Sequence, residues 1–287
     1  MSLPVLNLIG PGKLGLSLVR LWQAANTVIL GDVVGRDRHK SAAIATTLGA
    51  RACQIDELAP ADFTLIATPD THLAHVAAQL AAAGTLRPGS VVFHCSGALP
   101  SAVLAPLRAA GALLASVHPL KSFASDAVSA GEFSGSYCGC EGDAEALARL
   151  APLFDALGAR RFAIDADHKT LYHAGAVLAC NKLVALMECA LRSMAAAGVP
   201  RDIAWPALRP LIDGTLINLD RLSPAQALTG PIARGDAVTV DRQQGALADL
   251  DPSVATVYRS LGEVAVQLTN LDETQRQSLR AALEAQA

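Results

Sequence analysis

The segment Gly10-Pro11-Gly12-Lys13-Leu14-Gly15 constrains this chain more than any other. It has the spacing G-x-G-x-x-G and follows an apolar run at 3–9. It opens a stretch, 13–25, whose Leu14, Leu18, Leu21 and Trp22 fall on one helical stripe. A strand, a tight turn and a helix N-terminus make the context in which this motif binds a dinucleotide. The first glycine permits the turn, the second leaves room for a pyrophosphate, and the third lets helix and strand pack closely. Backbone N–H groups at the helix start then hold the phosphates, helped by the helix dipole. Gly10, Pro11, Gly12, Lys13, Leu14 and Gly15 are therefore expected to bind cofactor; a tight turn that binds nothing is the alternative.

The pattern continues along the first half. Apolar stretches at 27–34, 63–67, 91–94 and 113–117 alternate with helical patterns at 38–48, 72–83 and 101–110. Strand-like pieces near 136–140 and 161–164 flank a helix over 143–157. Short apolar strands separated by amphipathic helices predict an α/β domain on a doubly wound, mainly parallel sheet. Beyond residue 167 no convincing strand appears. A long helix is predicted over about 168–197, stopped by Gly198 and Pro200. Ser223-Pro224-Ala225-Gln226, Asp251-Pro252 and Asp272-Glu273-Thr274-Gln275 mark three further helix starts. Residues 229–236 read as a turn-rich loop. The expected organisation is an α/β domain over 1–165 followed by an all-α domain over 166–287.

Composition narrows the function. The chain has 287 residues, 52% hydrophobic, 4% aromatic and 17% charged, which excludes a disordered chain. The net charge of −3 and the scarcity of aromatics offer neither a basic surface nor stacking platforms for nucleic acid. Positive mean hydropathy raises the question of a membrane. The longest apolar candidate, 174–199, carries Asn181, Lys182, Glu188 and Arg192, so it reads as a buried or interfacial helix, with no membrane expected. The first ten residues read as a strand, not a secretion leader. The six cysteines lack the spacing of a disulfide framework, and Cys138 and Cys140 share one strand face. Two thiols do not complete a zinc site, so no metal is expected, and a reducing cytoplasm is the expected compartment.

Parallel sheets bind ligands beyond the carboxyl ends of their strands. After the second strand stands Gly35-Arg36-Asp37. An Arg there accommodates a 2′-phosphate and an acid takes a ribose hydroxyl, so Arg36 favours NADP while Asp37 leaves NAD open. Thr68 and Pro69 are expected beside the nicotinamide ribose, and Ser96 on the carboxamide or the substrate. His118 is the best acid–base candidate, since an ordinary pKa of about 6.5 suits proton transfer near neutrality. A structural histidine at a strand end is the other reading.

The chain resembles NAD(P)-dependent β-hydroxyacid, 6-phosphogluconate, ketopantoate and prephenate dehydrogenases. More closely, it resembles Rossmann-like proteins with a DUF2520 C-terminal domain, often described as F420-dependent NADP oxidoreductase-like. The likeness rests on Gly10 to Gly15, His94-Cys95-Ser96-Gly97-Ala98-Leu99, His118-Pro119-Leu120-Lys121-Ser122-Phe123, Tyr172-His173-Ala174-Gly175, Asn181, and Leu228-Thr229-Gly230-Pro231-Ile232-Ala233-Arg234-Gly235-Asp236. It implies a Rossmann domain, a helical C-terminal domain of the 6-phosphogluconate-dehydrogenase-like type, and an NADP-type oxidoreductase without a defined substrate. His118-Pro119 is similar to the His-Pro segment of prephenate dehydrogenases, whose histidine contacts the reacting hydroxyl. On one regular helix His173, Cys180, Asn181 and Glu188 would share a face. Related hydroxyacid dehydrogenases carry a catalytic lysine three or four positions before the asparagine, where this chain has Leu178 and Val177. His118, His173 or Lys121 would then do the proton work, with Ser96 and Asn181 orienting the substrate. Arg234 could grip a substrate carboxylate or pair with Asp236. The expected function is hydride transfer between NADP and a small carbonyl, hydroxy or imine substrate in the interdomain cleft. A non-catalytic NAD(P)-binding regulatory or assembly module is the rival, and F420 is a third possibility. A homodimer through the apolar helical domain is expected.

Overall fold

The computed structural model describes residues 2–123, 125 and 128–284. The chain divides into two compact units, Met1–Val177 and Leu178–Ala287. This division lies beyond the expected one at 165, because the next helix begins against the sheet.

The first unit holds strands β1 (Val5–Ile9), β2 (Ile29–Val34), β3 (Arg51–Ala52), β4 (Phe63–Ile66), β5 (Val91–His94), β6 (Leu113–Pro119), β7 (Tyr137–Gly142) and β8 (Arg160–Ala163). Its helices are α1 (Lys13–Ala24), α2 (Arg38–Thr47), α3 (Asp70–Ala83), α4 (Ala130–Phe133), α5 (Ala144–Asp155) and most of α6 (Lys169–Ala179). The strands form one sheet in the order β3-β2-β1-β4-β5-β6-β7-β8. The first six are parallel in the usual Rossmann order, whose switch point lies between β1 and β4. Only the β6–β7 pairing is antiparallel. The predicted α/β reading holds, with three differences. The two-residue edge strand β3 is too short to carry a pattern. Ser101–Ala110 is 3-10 rather than α, with Pro106 inside it removing a donor. His118 lies within β6, opposite Gly139, rather than after the strand.

Both sheet faces are covered. On one, α1 and α5 bury Leu18, Val19, Trp22, Leu150 and Phe154. Trp22, Phe93 and Phe154 meet edge to face there, and the Trp22 indole N–H donates to the Leu153 carbonyl at 3.0 Å. On the other, α3 and the 3-10 turn bury Leu73, Ala77, Leu80, Leu104 and Leu107 against Ile66 and Val92. Cys138 and Cys140 point together into the first of these cores.

The second unit is helical: α7 (Asn181–Ala196), α8 (Arg201–Arg221), α9 (Pro224–Ala227), α10 (Ala237–Leu250), α11 (Pro252–Gln267) and α12 (Glu273–Glu284). Ser223 forms the expected capping box with Gln226, and Asp251 caps α11 ahead of Pro252. The predicted long helix is interrupted at Cys180, where φ is −117° and ψ −68°. The face expected to unite His173, Cys180, Asn181 and Glu188 is therefore not carried by one regular helix. Sequence reasoning missed α8, whose Pro206 and Pro210 disguise a helix of 21 residues. A small core joins α10, α11 and α12 through Val240, Val266, Leu279 and Leu283. Of the buried or interfacial helix expected over 174–199, α7 buries no residue within the single chain, whose small core forms elsewhere. Among the described residues one stretch, Lys169–Ala196, is long and apolar enough to cross a membrane by length and composition. It carries Glu188, which is paired with Arg192 and Arg201.

Candidate functional site

The switch point carries the glycine motif. Gly10 has φ +89°, and a methyl group there would lie 2.8 Å from the Thr68 amide. A methyl group on Gly15 would press on Ala67 and Leu8 at 3.0 Å, so helix and strand touch as the third glycine requires. Gly12 faces open space and caps α1 without a side-chain hydrogen bond. The first N–H groups of α1 thus stand ready for an anion. Beside the turn, the buried Thr68 hydroxyl has no partner. Pro69 precedes α3 at its N-cap. An open cradle, an uncapped helix and an orphaned hydroxyl fit a dinucleotide.

At the end of β2, Arg36 is exposed. Asp37 spends its carboxylate capping α2, accepting from the Lys40 amide at 3.1 Å. Asp32, further back in the strand, is buried and held by Arg51 at 2.7 Å and by the Ala59 amide. Burial alone would raise its pKa, but these bonds together hold it below the usual carboxylate value. Arg38 and Ser41 line a cavity of about 250 Å³ beside Gly35.

The second centre lies past β5 and on β6. His118 Nδ1 is 2.8 Å from the Tyr172 hydroxyl, and its ring stands edge-on to His173 with centroids 5.5 Å apart. Gly97 lies under both imidazoles, and a methyl group there would strike His173 Nδ1 and reach His118 Nε2 at 2.8 Å. His173 Nδ1 is buried without a partner. Burial chiefly, then His173 and Lys169, pulls the His118 pKa down to about 4. The expected titration near neutrality is thus corrected: His118 is a neutral imidazole at pH 7. Burial, with Cys138 and Cys140 adding to it, pushes Tyr172 up to about 12, so its hydroxyl stays protonated.

Ser96 is engaged within the chain. Its hydroxyl donates to Asp70 at 2.8 Å and accepts from the amides of Ala98 and Leu99. This short-range pattern shapes the turn that carries Gly97, rather than leaving the hydroxyl for a ligand. Lys121 lies just past β6, where its amide donates to the Pro119 carbonyl. No described contact brings its side chain to His118. Asn181 and Arg234 belong to the second unit, and both are exposed. Asp236 caps α10, accepting from the Thr239 amide and hydroxyl, instead of pairing with Arg234. Sequence reasoning missed Lys169 and Glu141, and quoted Tyr172 without giving it a role. The signal was present: Lys169 and Tyr172 are one helical turn apart, and Glu141 and Gly139 alternate in step with Ser116 and His118 on the neighbouring strand.

A family model for a Rossmann-like domain matches residues 4–119, and one for a domain of unknown function, DUF2520, matches residues 136–265. The chain thus carries a Rossmann-like domain and a DUF2520 domain. Solved structures share its fold. A Bacteroides fragilis protein described provisionally as an NADP oxidoreductase superposes with a TM-score of 0.75 at 22% identity, over 92% of this chain and 98% of its own. An imine reductase from Myxococcus stipitatus, in complex with NADP+, gives 0.65 at 14% identity over 97% and 95%. Its V8 variant, in complex with NAD+, gives 0.59 at 15% over 97% and 99%. The 1-pyrroline-5-carboxylate reductase of Streptococcus pyogenes gives 0.60 at 17% over 92% and 98%. None of the curated proteins compared with the chain matches it.

Proposed function

We propose that the chain is an NADP-dependent oxidoreductase acting on a small carbonyl, hydroxy or imine substrate. One observation carries the reading: the Gly10–Gly15 cradle and the His118–Tyr172–His173 group lie at the same, carboxyl end of the parallel strands β1 and β6 of one sheet. The similar fold of reductases described with NADP+ and NAD+ supports it. Bound nicotinamide would supply or take the hydride. The first turn of α1 and the Thr68 hydroxyl would hold the pyrophosphate and its neighbouring ribose. Arg36 favours NADP over NAD, because the acids that could take a ribose hydroxyl, Asp32 and Asp37, are committed elsewhere.

His118 acts as a neutral donor. Its Nε2–H polarises the substrate oxygen or nitrogen, as a neutral imidazole does where burial keeps it uncharged. A proton given up by Nε2 would return from solvent, while the Tyr172 hydroxyl stays protonated and hydrogen-bonded to Nδ1. The second unit serves association: a second copy of the chain covers its exposed apolar helices. The six free cysteines fit a reducing cytoplasm.

Titration with NADPH and NADH, followed by nicotinamide fluorescence, tests the cofactor. Arg36→Ala should weaken NADPH and spare NADH; equal binding of both by the unaltered chain would reject the preference. A screen of carbonyl and imine substrates following NADPH oxidation tests turnover, and a hit whose rate survives His118→Ala removes the donor role. Binding without turnover would favour a regulatory module, the reading that Val177 and Leu178 support by standing where related dehydrogenases have lysine.

A further inference from the structure

Lys169 opens α6 with its side chain wholly buried. Its ammonium donates to the Ser116 hydroxyl and, at 2.9 Å, to Glu141. Glu141 is buried too, and it accepts from the amide and the hydroxyl of Ser101 at 2.8 and 2.7 Å. The pair therefore ties β6, β7, the 3-10 turn after β5 and the first turn of α6 together. A buried ion pair is a poor source of stability, because both charges lose water, and its best-attested use is to fix a register.

The register here has a visible consequence. Ser116 and His118 lie on one face of β6, and opposite them on β7 stand Glu141 and Gly139. Lys169 covers the first couple. Tyr172, one turn along α6, covers the second, and a methyl group on Gly139 would meet its hydroxyl at 2.7 Å. A slip of α6 by one residue would turn Tyr172 by about 100° away from the imidazole. Among the described residues the Tyr172 hydroxyl bonds only His118 Nδ1. If it donates there, the ring proton sits on Nε2, the nitrogen against Gly97. The other tautomer would leave the tyrosine proton without an acceptor in the chain.

We propose that Lys169 and Glu141 are positioning residues: their ion pair anchors α6 in the register that keeps Tyr172 on Nδ1 of His118 and the ring proton on Nε2. The catalytic meaning rests on the donor role proposed for His118; the anchoring does not.

The test is histidine ¹⁵N NMR on the full chain at pH 7, without cofactor or substrate, with His118 assigned by the signals lost in His118→Asn. The unaltered chain should show the shifts of a single Nε2–H tautomer. Lys169→Met/Glu141→Gln, which removes both charges at similar volume, should give averaged shifts while keeping the thermal midpoint of a folded protein. Tyr172→Phe should give the same averaging. Unchanged His118 shifts in the folded double variant, or in Tyr172→Phe, overturn the proposal. Should the double variant fail to fold, Glu141→Asp is read instead. It keeps both charges and withdraws the carboxylate by one methylene, so it should lower the Nε2–H fraction, and no change overturns the anchor. A chain that shows the expected shifts yet binds no nicotinamide nucleotide would sink the proposed function and leave the anchor standing.

Discussion

Among the described residues, every buried polar side chain except Gln244 belongs to the first unit, while every exposed large apolar side chain except Ile29, Leu120, Tyr137 and Leu171 belongs to the second. The two units thus use the same aliphatic composition in opposite ways. In the first, apolar strands covered on both faces create a dry interior in which His94, Ser116, Glu141 and Lys169 can be held by one another. In the second, the core of α10, α11 and α12 is small, and an apolar cavity of about 330 Å³ opens beside Leu186, Val257 and Leu261. Ile203, Trp205, Leu211, Leu216 and Ile217 face outward along α8. The first unit carries its polar groups inside; the second leaves large apolar side chains outside.

Acid should separate the two most strongly. All seven histidines lie in the first unit. Burial pulls His94 and His118 to about 4. Unfolded, each protonates near 6.5, so between those values the unfolded chain binds more protons, and stability is lost as pH falls from about 6.5 to about 4. The loss is on the order of 3 kcal/mol for each histidine. Each unit holds one tryptophan, Trp22 and Trp205. Melting curves of Trp205→Phe, which reports on Trp22, should fall steeply across that window, and those of Trp22→Phe much less. Parallel falls would break the contrast.

Lys169→Met alone leaves Glu141 charged and unpaired inside the first unit. The expected loss is about 3–5 kcal/mol in urea denaturation, with most of it restored by adding Glu141→Gln. A loss below about 1 kcal/mol would mean that the pair is solvated. Leu211→Glu on α8 should do the reverse. The side chain is 68% exposed, so the isolated chain should change by no more than about 0.5 kcal/mol, while light scattering shows weaker self-association. A chain that is monomeric before the substitution removes the proposed dimer.

The local signals were the legible ones. Gly10 to Gly15 and the caps at Ser223 and Asp251 act within a few residues, and each turn or cap is found where its pattern stands. What escaped depends on packing between distant segments. The His118 pKa follows from its burial and from two residues of α6 that arrive late in the chain. The hydroxyl of Ser96 looks available in sequence, but the fold brings Asp70 to it. Lys169 reads as an ordinary surface lysine until β6 and β7 are paired in antiparallel register. The helix α8 was hidden for a local reason, since Pro206 and Pro210 erase the expected propensity.

The smallest expected effect isolates burial from local bonding. Two helices of four residues, α4 and α9, begin with the same capping box: Ser129 with Glu132 in the first unit and Ser223 with Gln226 in the second. In α4 the last residue, Phe133, is fully buried in the sheet core, so loosening the cap also loosens that anchor. In α9 no residue is buried. Ser129→Ala should therefore lower global stability by about 1 kcal/mol. Ser223→Ala should fray α9 and leave the unfolding midpoint within about 0.5 kcal/mol of the unaltered chain. Hydrogen exchange at the Gln226 amide should nonetheless speed up, because it loses its bond to the Ser223 hydroxyl and keeps only the one to the Ser223 carbonyl. Equal losses in the two variants would show that the second unit couples its surface turns to its core as tightly as the first, a coupling that the outward-facing apolar helices do not suggest.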